Sequence, residues 1–172
     1  RAFQLSTTVP GMAAALSDAT NKICAGELLQ IGSRFNSDLS EESYFEIIQK
    51  KTAVLHALAC ELGGVFADLS SADSRALGGL GMDLGMAFQV VDDCLDYAGE
   101  ETVVGKSLGT DLRQGKLTLP LIYLRDSLDE AESKWLQKAL SAPMEEDVEL
   151  RIHDMVRNGG VLVRSFERAQ AF

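Results

Sequence analysis

Residues 90–98 read VVDDCLDYA and set Asp92, Asp93 and Asp96 inside an apolar run. On a helix Asp92 and Asp96 lie at i and i+4 and share a face, with Asp93 about 100° round from Asp92. Carboxylates at that spacing repel, and an aspartate near a helix C-terminus opposes the helix dipole. Two readings stand. One is a solvated helix end. The other is an external cation that offsets the repulsion, and a carboxylate donor set selects a hard ion such as Mg²⁺. The next residues bear on the choice. GEETVVGKSLGTDLRQGK (99–116) is glycine-rich and carries Lys106, Arg113 and Lys116. Each base alone is commonly a surface charge. Acids followed by a glycine-rich loop with bases suit a diphosphate held through metal. A nucleotide P-loop is not the match: Gly105-Lys106-Ser107 lacks both the glycine five residues earlier and a preceding strand.

The elements that must position these groups read as helices. Period-two alternation and Asn-Gly or Asp-Gly hairpin signals are missing, and the prolines are only Pro10, Pro120 and Pro143. A first helix is expected over about Gly11–Ile31, ending at GSRFNSD. A second is expected from Ser40, a good N-cap followed by Glu41 and Glu42, to about Ala67. SSAD (70–73) caps a third over Ser74–Ala98, which carries the aspartates at its end. Its glycines at 78, 79, 81 and 85 cost about 1 kcal/mol each in a helix interior, so close backbone packing in a bundle is their expected reason. Residues 99–116 read as one long functional loop. LTLPLIYLRD follows with Pro120 in a first turn, then helices over Glu130–Leu140 and Glu145–Arg157. The latter is closed by NGG, and VLVRSFERAQAF continues in helical pattern. The expectation is a single all-α domain.

The chain has 172 residues, 46% apolar and 24% charged, enough for a real core. It contains no apolar stretch of membrane-spanning length and no basic-then-apolar leader in RAFQLSTTVP. A net charge of −10 argues against a nucleic-acid surface or a polybasic membrane patch, while leaving room for a local basic pocket. Cys24, Cys60 and Cys94 are odd in number, widely spaced and set among apolar residues. They read as small buried hydrophobes in a reducing compartment such as the cytoplasm. His56 and His153 stand alone in the sequence. Tyr97, Phe88 and Trp135 read as core.

LGMAFQVVDDCLDYAGE followed by VGKSLGTDLRQGKLTLPLI closely resembles the second aspartate-rich region of the all-trans polyprenyl diphosphate synthases. The ordered pieces are a glycine, FQ, DDxxD, GKxxGxD and GKxTLP. Upstream, ICAGELLQ (23–30) resembles that family's GExxQ helix and YFEIIQKKTAVL (44–55) its KT-containing helix. The resemblance implies an isoprenoid-synthase-type helical bundle that adds isopentenyl diphosphate to an allylic diphosphate. It implies several Mg²⁺ ions bridging the allylic diphosphate to two aspartate-rich motifs, and it implies a homodimer. Asp92, Asp93 and Asp96 match the second of those motifs, with Asp92 the direct ligand and the others acting partly through water. Lys51, Lys106 and Lys116 match lysines around the diphosphate. Thr52 and Gln89 match positions whose oxygens face the allylic carbon. Asp111 matches a loop aspartate that supports the metal indirectly. Glu27 and Gln30 read as structural.

The family's first aspartate-rich motif, its arginine pair and its isopentenyl diphosphate pocket have no counterpart in these residues. The expectation is a C-terminal portion of a longer synthase, inactive by itself. DDCLDYAGE with GKLTLP is closer to the long-chain (octaprenyl or solanesyl) synthases than to farnesyl synthases. A non-catalytic subunit of a heteromeric synthase would be expected to lose acids or lysines that this chain keeps. A terpene cyclase of the same fold typically carries an Asn/Ser/Glu-type second metal motif. A purely structural helical module would show no Mg²⁺–diphosphate binding for Asp92→Ala to remove.

Overall fold

The computed structural model describes residues 2–98, 109–141 and 143–172. Every regular element among them is helical: α1 (Ala2–Ser6), α2 (Met12–Gly32), α3 (Glu41–Ile48), α4 (Val54–Phe66), α5 (Ser71–Ala98), α6 (Thr110–Arg113), α7 (Leu119–Ser127), α8 (Glu130–Leu140), α9 (Glu146–Asn158) and α10 (Val161–Gln170). The expected caps form. Ser40 Oγ accepts from Ser43 N–H at 3.1 Å, and Ser70 Oγ from Asp73 N–H at 3.1 Å. No helix among the described residues is long and apolar enough to cross a membrane. The contacts divide the chain into two compact units, one of Arg1–Leu29 with Glu46–Met86, the other of Gln30–Phe45 with Ala87–Phe172.

In the first unit the rod expected over Ser40–Ala67 is interrupted. Between α3 and α4 lies a π-helical turn, Gln49–Ala53, whose following residue Val54 donates its N–H to Gln49 O. Such turns recur at functional sites, and this one holds Lys51 and Thr52. It lies where α2 approaches most closely. A Cβ on Gly26 would fall 2.5 Å from Lys51 N, so only glycine admits the backbone. The glycines of α5 separate into two kinds. A Cβ on Gly81 would meet His56 O at 2.6 Å, and one on Gly85 would meet Ala53 Cα at 2.6 Å, whereas one on Gly79 meets nothing within 4 Å. Close packing therefore accounts for Gly81 and Gly85 and not for Gly79. Gly85→Ala is expected to lower stability by about 1–3 kcal/mol through overpacking. Gly79→Ala is expected to raise it by about 0.5–1 kcal/mol through lost backbone freedom in the unfolded chain. Denaturant melts of the two variants, which should move in opposite directions, check this.

In the second unit α7 is buried on all sides, from Leu119 through Leu124, with Pro120 in its first turn. It packs against α8, α9 and α10, and α9 packs against α10. Arg125 donates to Ser37 O at 2.8 Å and Leu39 O at 2.9 Å, and Tyr123 Oη to Glu41 at 2.9 Å. These bonds tie the 30–45 segment to α7. NGG closes α9 as expected, with Gly159 as its C-cap, and Gly160 at φ 73° starts α10. Three core assignments are corrected, those of Cys24, Cys60 and Phe88. Cys24 is exposed and Cys60 half-buried, because apolar neighbours in sequence fall on different helix faces; Cys94 is buried, and burial pushes its thiol up to about 12. Phe88 is 56% exposed, while Tyr97 is fully buried.

Candidate functional site

The three aspartates occupy three environments. Asp92 is half-buried, whereas Asp93 and Asp96 are buried. Asp93 accepts from Tyr44 Oη at 2.7 Å and from Gln89 Nε2 at 2.8 Å. Burial pushes its carboxyl up to about 7 against the opposing pull of the Tyr44 hydrogen bond, and the charges of Asp111 and Asp92 add to the rise. Because the Gln89 amide nitrogen donates to Asp93, the orientation of the whole amide is fixed one turn before that aspartate. Tyr44→Phe removes a donor to a buried carboxylate. It should cost about 1.5–3 kcal/mol, read as a fall in Tm with no change in helix content.

Asp96 is an anchor. Its Oδ2 accepts Asp111 N–H at 3.2 Å, its Oδ1 faces the Thr110 hydroxyl at 3.4 Å, and its own carbonyl accepts Gly109 N–H at 3.2 Å. Its carboxylate therefore sits at the N-terminus of α6, where helix N–H groups want an acceptor. This four-residue helix falls inside the segment expected to be all loop. A helix so short has no stability of its own, so tertiary contacts decide it and hydrophobic spacing gives no sign of it. Leu112 is its buried apolar contact.

The far end of α6 is closed by TDLRQGK itself. Lys116 N–H reaches Asp111 O at 2.9 Å and Gly115 N–H reaches Leu112 O at 3.0 Å, with Gly115 at φ 69°. That pattern is a Schellman cap, which asks for glycine at this position. Gly115 has a second reason: a Cβ there would strike the Phe35 ring at 2.6 Å, while Phe35 N–H donates to Gly115 O at 2.7 Å. The cap leaves Lys116 Nζ 2.8 Å from Asp111 Oδ1, both side chains mostly buried. Asp96, Asp111 and Lys116 thus form one hydrogen-bonded piece that ties the end of DDxxD to GxDxxxGK.

In the first unit, Lys51 Nζ pairs with Glu27 Oε2 at 2.9 Å, next to the Gly26 contact. Thr52 is half-buried, and its carbonyl lies 3.2 Å from His56 Nδ1. The GExxQ and KT segments therefore meet through glycine and an ion pair, the structural part expected of Glu27. Lys106 lies outside the described residues.

The metal expectation is tested by the donors. No group of three His, Cys, Asp or Glu among the described residues is arranged to hold an ion. Mg²⁺, however, is commonly bound through one or two carboxylates with the remainder from water and substrate phosphate. Asp92, the least buried of the three, fits one such carboxylate.

Comparison with known proteins gives the lineage. The family model described as Polyprenyl synthetase matches residues 1–155. Octaprenyl diphosphate synthase of Escherichia coli is 38% identical over 125 residues, which are 72% of this chain and 39% of that protein. Heptaprenyl diphosphate synthase component 2 of Bacillus subtilis is 34% identical over 137 residues, 76% of this chain and 39% of that protein. The crystal structure of a polyprenyl synthase from Caulobacter crescentus, complexed with calcium and isoprenyl diphosphate, superposes with a TM-score of 0.90 at 35% identity. That match covers 98% of this chain and 52% of the other. The chain thus spans about two-fifths of the length of these curated relatives and about half of that solved chain. With the family model running across all but the last residues, from the GExxQ helix through the DDxxD–GxDxxxGK piece, the chain belongs to the polyprenyl synthetase family.

Proposed function

We propose that the protein carrying these residues transfers an allylic prenyl group to isopentenyl diphosphate and elongates it to a long-chain polyprenyl diphosphate. The observation that carries this is the run of contacts from Asp96 through Asp111 to Lys116, which brings a lysine to the end of the aspartate motif, with Asp92 the most open of its three acids. Asp92 would be the direct Mg²⁺ ligand, with Asp93, Asp96 and Asp111 setting the backbone and bases around it. Bound Mg²⁺ neutralises charge on the departing diphosphate, the effect metals supply to phosphoryl leaving groups. The resemblance implies further Mg²⁺ ions, which a first aspartate-rich motif outside these residues would help to hold.

The rest of the chemistry belongs to side chains. The resemblance implies that Lys51, Lys106 and Lys116 would donate to diphosphate oxygens. The resemblance implies that the Gln89 amide oxygen, whose amide is oriented by the Asp93 bond on its nitrogen, and the Thr52 hydroxyl oxygen would favour the developing positive charge of the allylic carbon. Apolar helix faces keep water from that carbon. The product then loses a proton and is longer by one five-carbon unit. The octa- and heptaprenyl names of relatives support the long-chain end. Leu80 and Leu84, one turn apart on α5 and 62% and 57% exposed, support a homodimer face. An aqueous, reducing compartment suits the free cysteines.

The test is turnover of labelled isopentenyl diphosphate with an allylic diphosphate and Mg²⁺, with products sized by mass spectrometry. Long-chain polyprenyl diphosphates are the expected result. Binding of Mg²⁺–diphosphate without any elongation in the complete protein would overturn the reading. The 172 residues alone are expected to give no turnover.

A further inference from the structure

The face of α9 turned to the diphosphate loop carries a polar stripe that the chemistry above does not use. Glu149, His153 and Arg157 stand at i, i+4 and i+8, so all three project from one side of the helix. The buried residues Ile152 and Val156 alternate with them. Each member of the stripe meets a different part of the DDxxD–GxDxxxGK piece. Glu149 takes a two-pronged hydrogen bond from Arg113 of α6: Nε donates to Oε1 at 2.9 Å and to Oε2 at 3.0 Å, with Nη2 also 2.9 Å from Oε1. The Glu149 side chain is only 15% exposed, so the fork is shielded on the acid side. The His153 ring lies 5.0 Å from the Tyr97 ring. It also backs onto Gly109, where a Cβ would fall 2.7 Å from His153 Nε2 and 2.8 Å from Glu149 Oε1. Arg157 Nε donates at 2.6 Å to Tyr97 O, one of the last carbonyls of α5.

These contacts grip α6 and the end of α5, and both need gripping. The short helix α6 has too few residues to hold itself, and the end of α5 carries carbonyls that the helix cannot satisfy. We propose that Glu149, His153 and Arg157 are positioning residues that set the 109–116 segment, and through it Lys116, for diphosphate binding. This rests on the functional reading above only in naming the ligand. Charge-assisted forks between guanidinium and carboxylate are geometrically specific, so loss of one prong shifts the loop rather than only weakening it.

The experiment uses the complete protein, with inorganic diphosphate in Mg²⁺ as the probe. Glu149→Gln should speed amide exchange at 110–116 and weaken diphosphate binding, each by about tenfold, with protection elsewhere unchanged. The reciprocal pair Arg113→Glu with Glu149→Arg should recover most of both. Unchanged diphosphate affinity in Glu149→Gln overturns the proposal. So does loss of protection spread over the whole chain that the reciprocal pair fails to restore, or wild-type protein that does not bind diphosphate with Mg²⁺. Prenyl transfer by wild type is measured alongside. If wild type does not elongate an allylic diphosphate but the variants follow the expected pattern, the functional reading falls and the positioning role stands. If wild type elongates and Glu149→Gln alters neither exchange nor affinity, the reverse holds.

Discussion

Asp92→Ala in the complete protein should lower prenyl transfer by about 10²–10⁴-fold while leaving the fold intact. Loss of a metal ligand removes several kcal/mol of charge stabilisation from the leaving diphosphate, and each 1.36 kcal/mol is tenfold in rate. The residual rate should demand more Mg²⁺, because the remaining donors bind it less tightly. Asp92 is half-buried, and its charge is one of those that push Asp93 upward, so its removal eases the repulsion on Asp93. A Tm change smaller than that of Asp96→Ala is therefore expected. Steady-state kinetics across a Mg²⁺ series, run beside a thermal melt, measure both. Intact turnover at ordinary Mg²⁺ would place the ligand elsewhere.

The helices were legible because their residues bury a face at spacings of three and four. Ser40, Ser70 and Pro120 marked starts that the structure keeps. Features set by neighbours distant in sequence were not legible. The π turn at Gln49–Ala53 lies against Gly26, and α6 is fixed by Asp96 and Phe35. His153 stands alone in the sequence because its companions, Tyr97 and Gly109, arrive from other elements.

The same limit applies within the candidate site. Residue types and spacing pointed to a diphosphate site, but spacing could not assign tasks among three aspartates. The repulsion that suggested a cation has internal compensation at two of them. Asp93 gains donors from Tyr44 and Gln89, and Asp96 gains them from Thr110 and Asp111. None of those donors except Gln89 lies within one helical turn of its acceptor, so a reading of α5 alone leaves them out.

Asp96→Ala should give the opposite pattern to Asp92→Ala. The side chain is fully buried, and its removal strands the Asp111 N–H and the Thr110 hydroxyl that it accepts. An orphaned buried donor costs about 1–3 kcal/mol, and the space left behind adds to that, so a loss of about 2–4 kcal/mol is expected. In the complete protein this should appear as a Tm below that of wild type and of Asp92→Ala. Turnover should fall as well, but for a different reason. Without Asp96 the start of α6 loses its acceptor, and the Asp111–Lys116 pair that depends on α6 is no longer held. The loss should therefore appear chiefly in KM for the allylic diphosphate, with the Mg²⁺ requirement unchanged. Asp96→Asn, which keeps one acceptor oxygen and the volume, should fall between wild type and alanine. A variant that keeps its Tm and instead demands more Mg²⁺ would make Asp96 a metal ligand like Asp92. The pair of variants thus separates a carboxylate that binds the metal from one that builds the loop beside it.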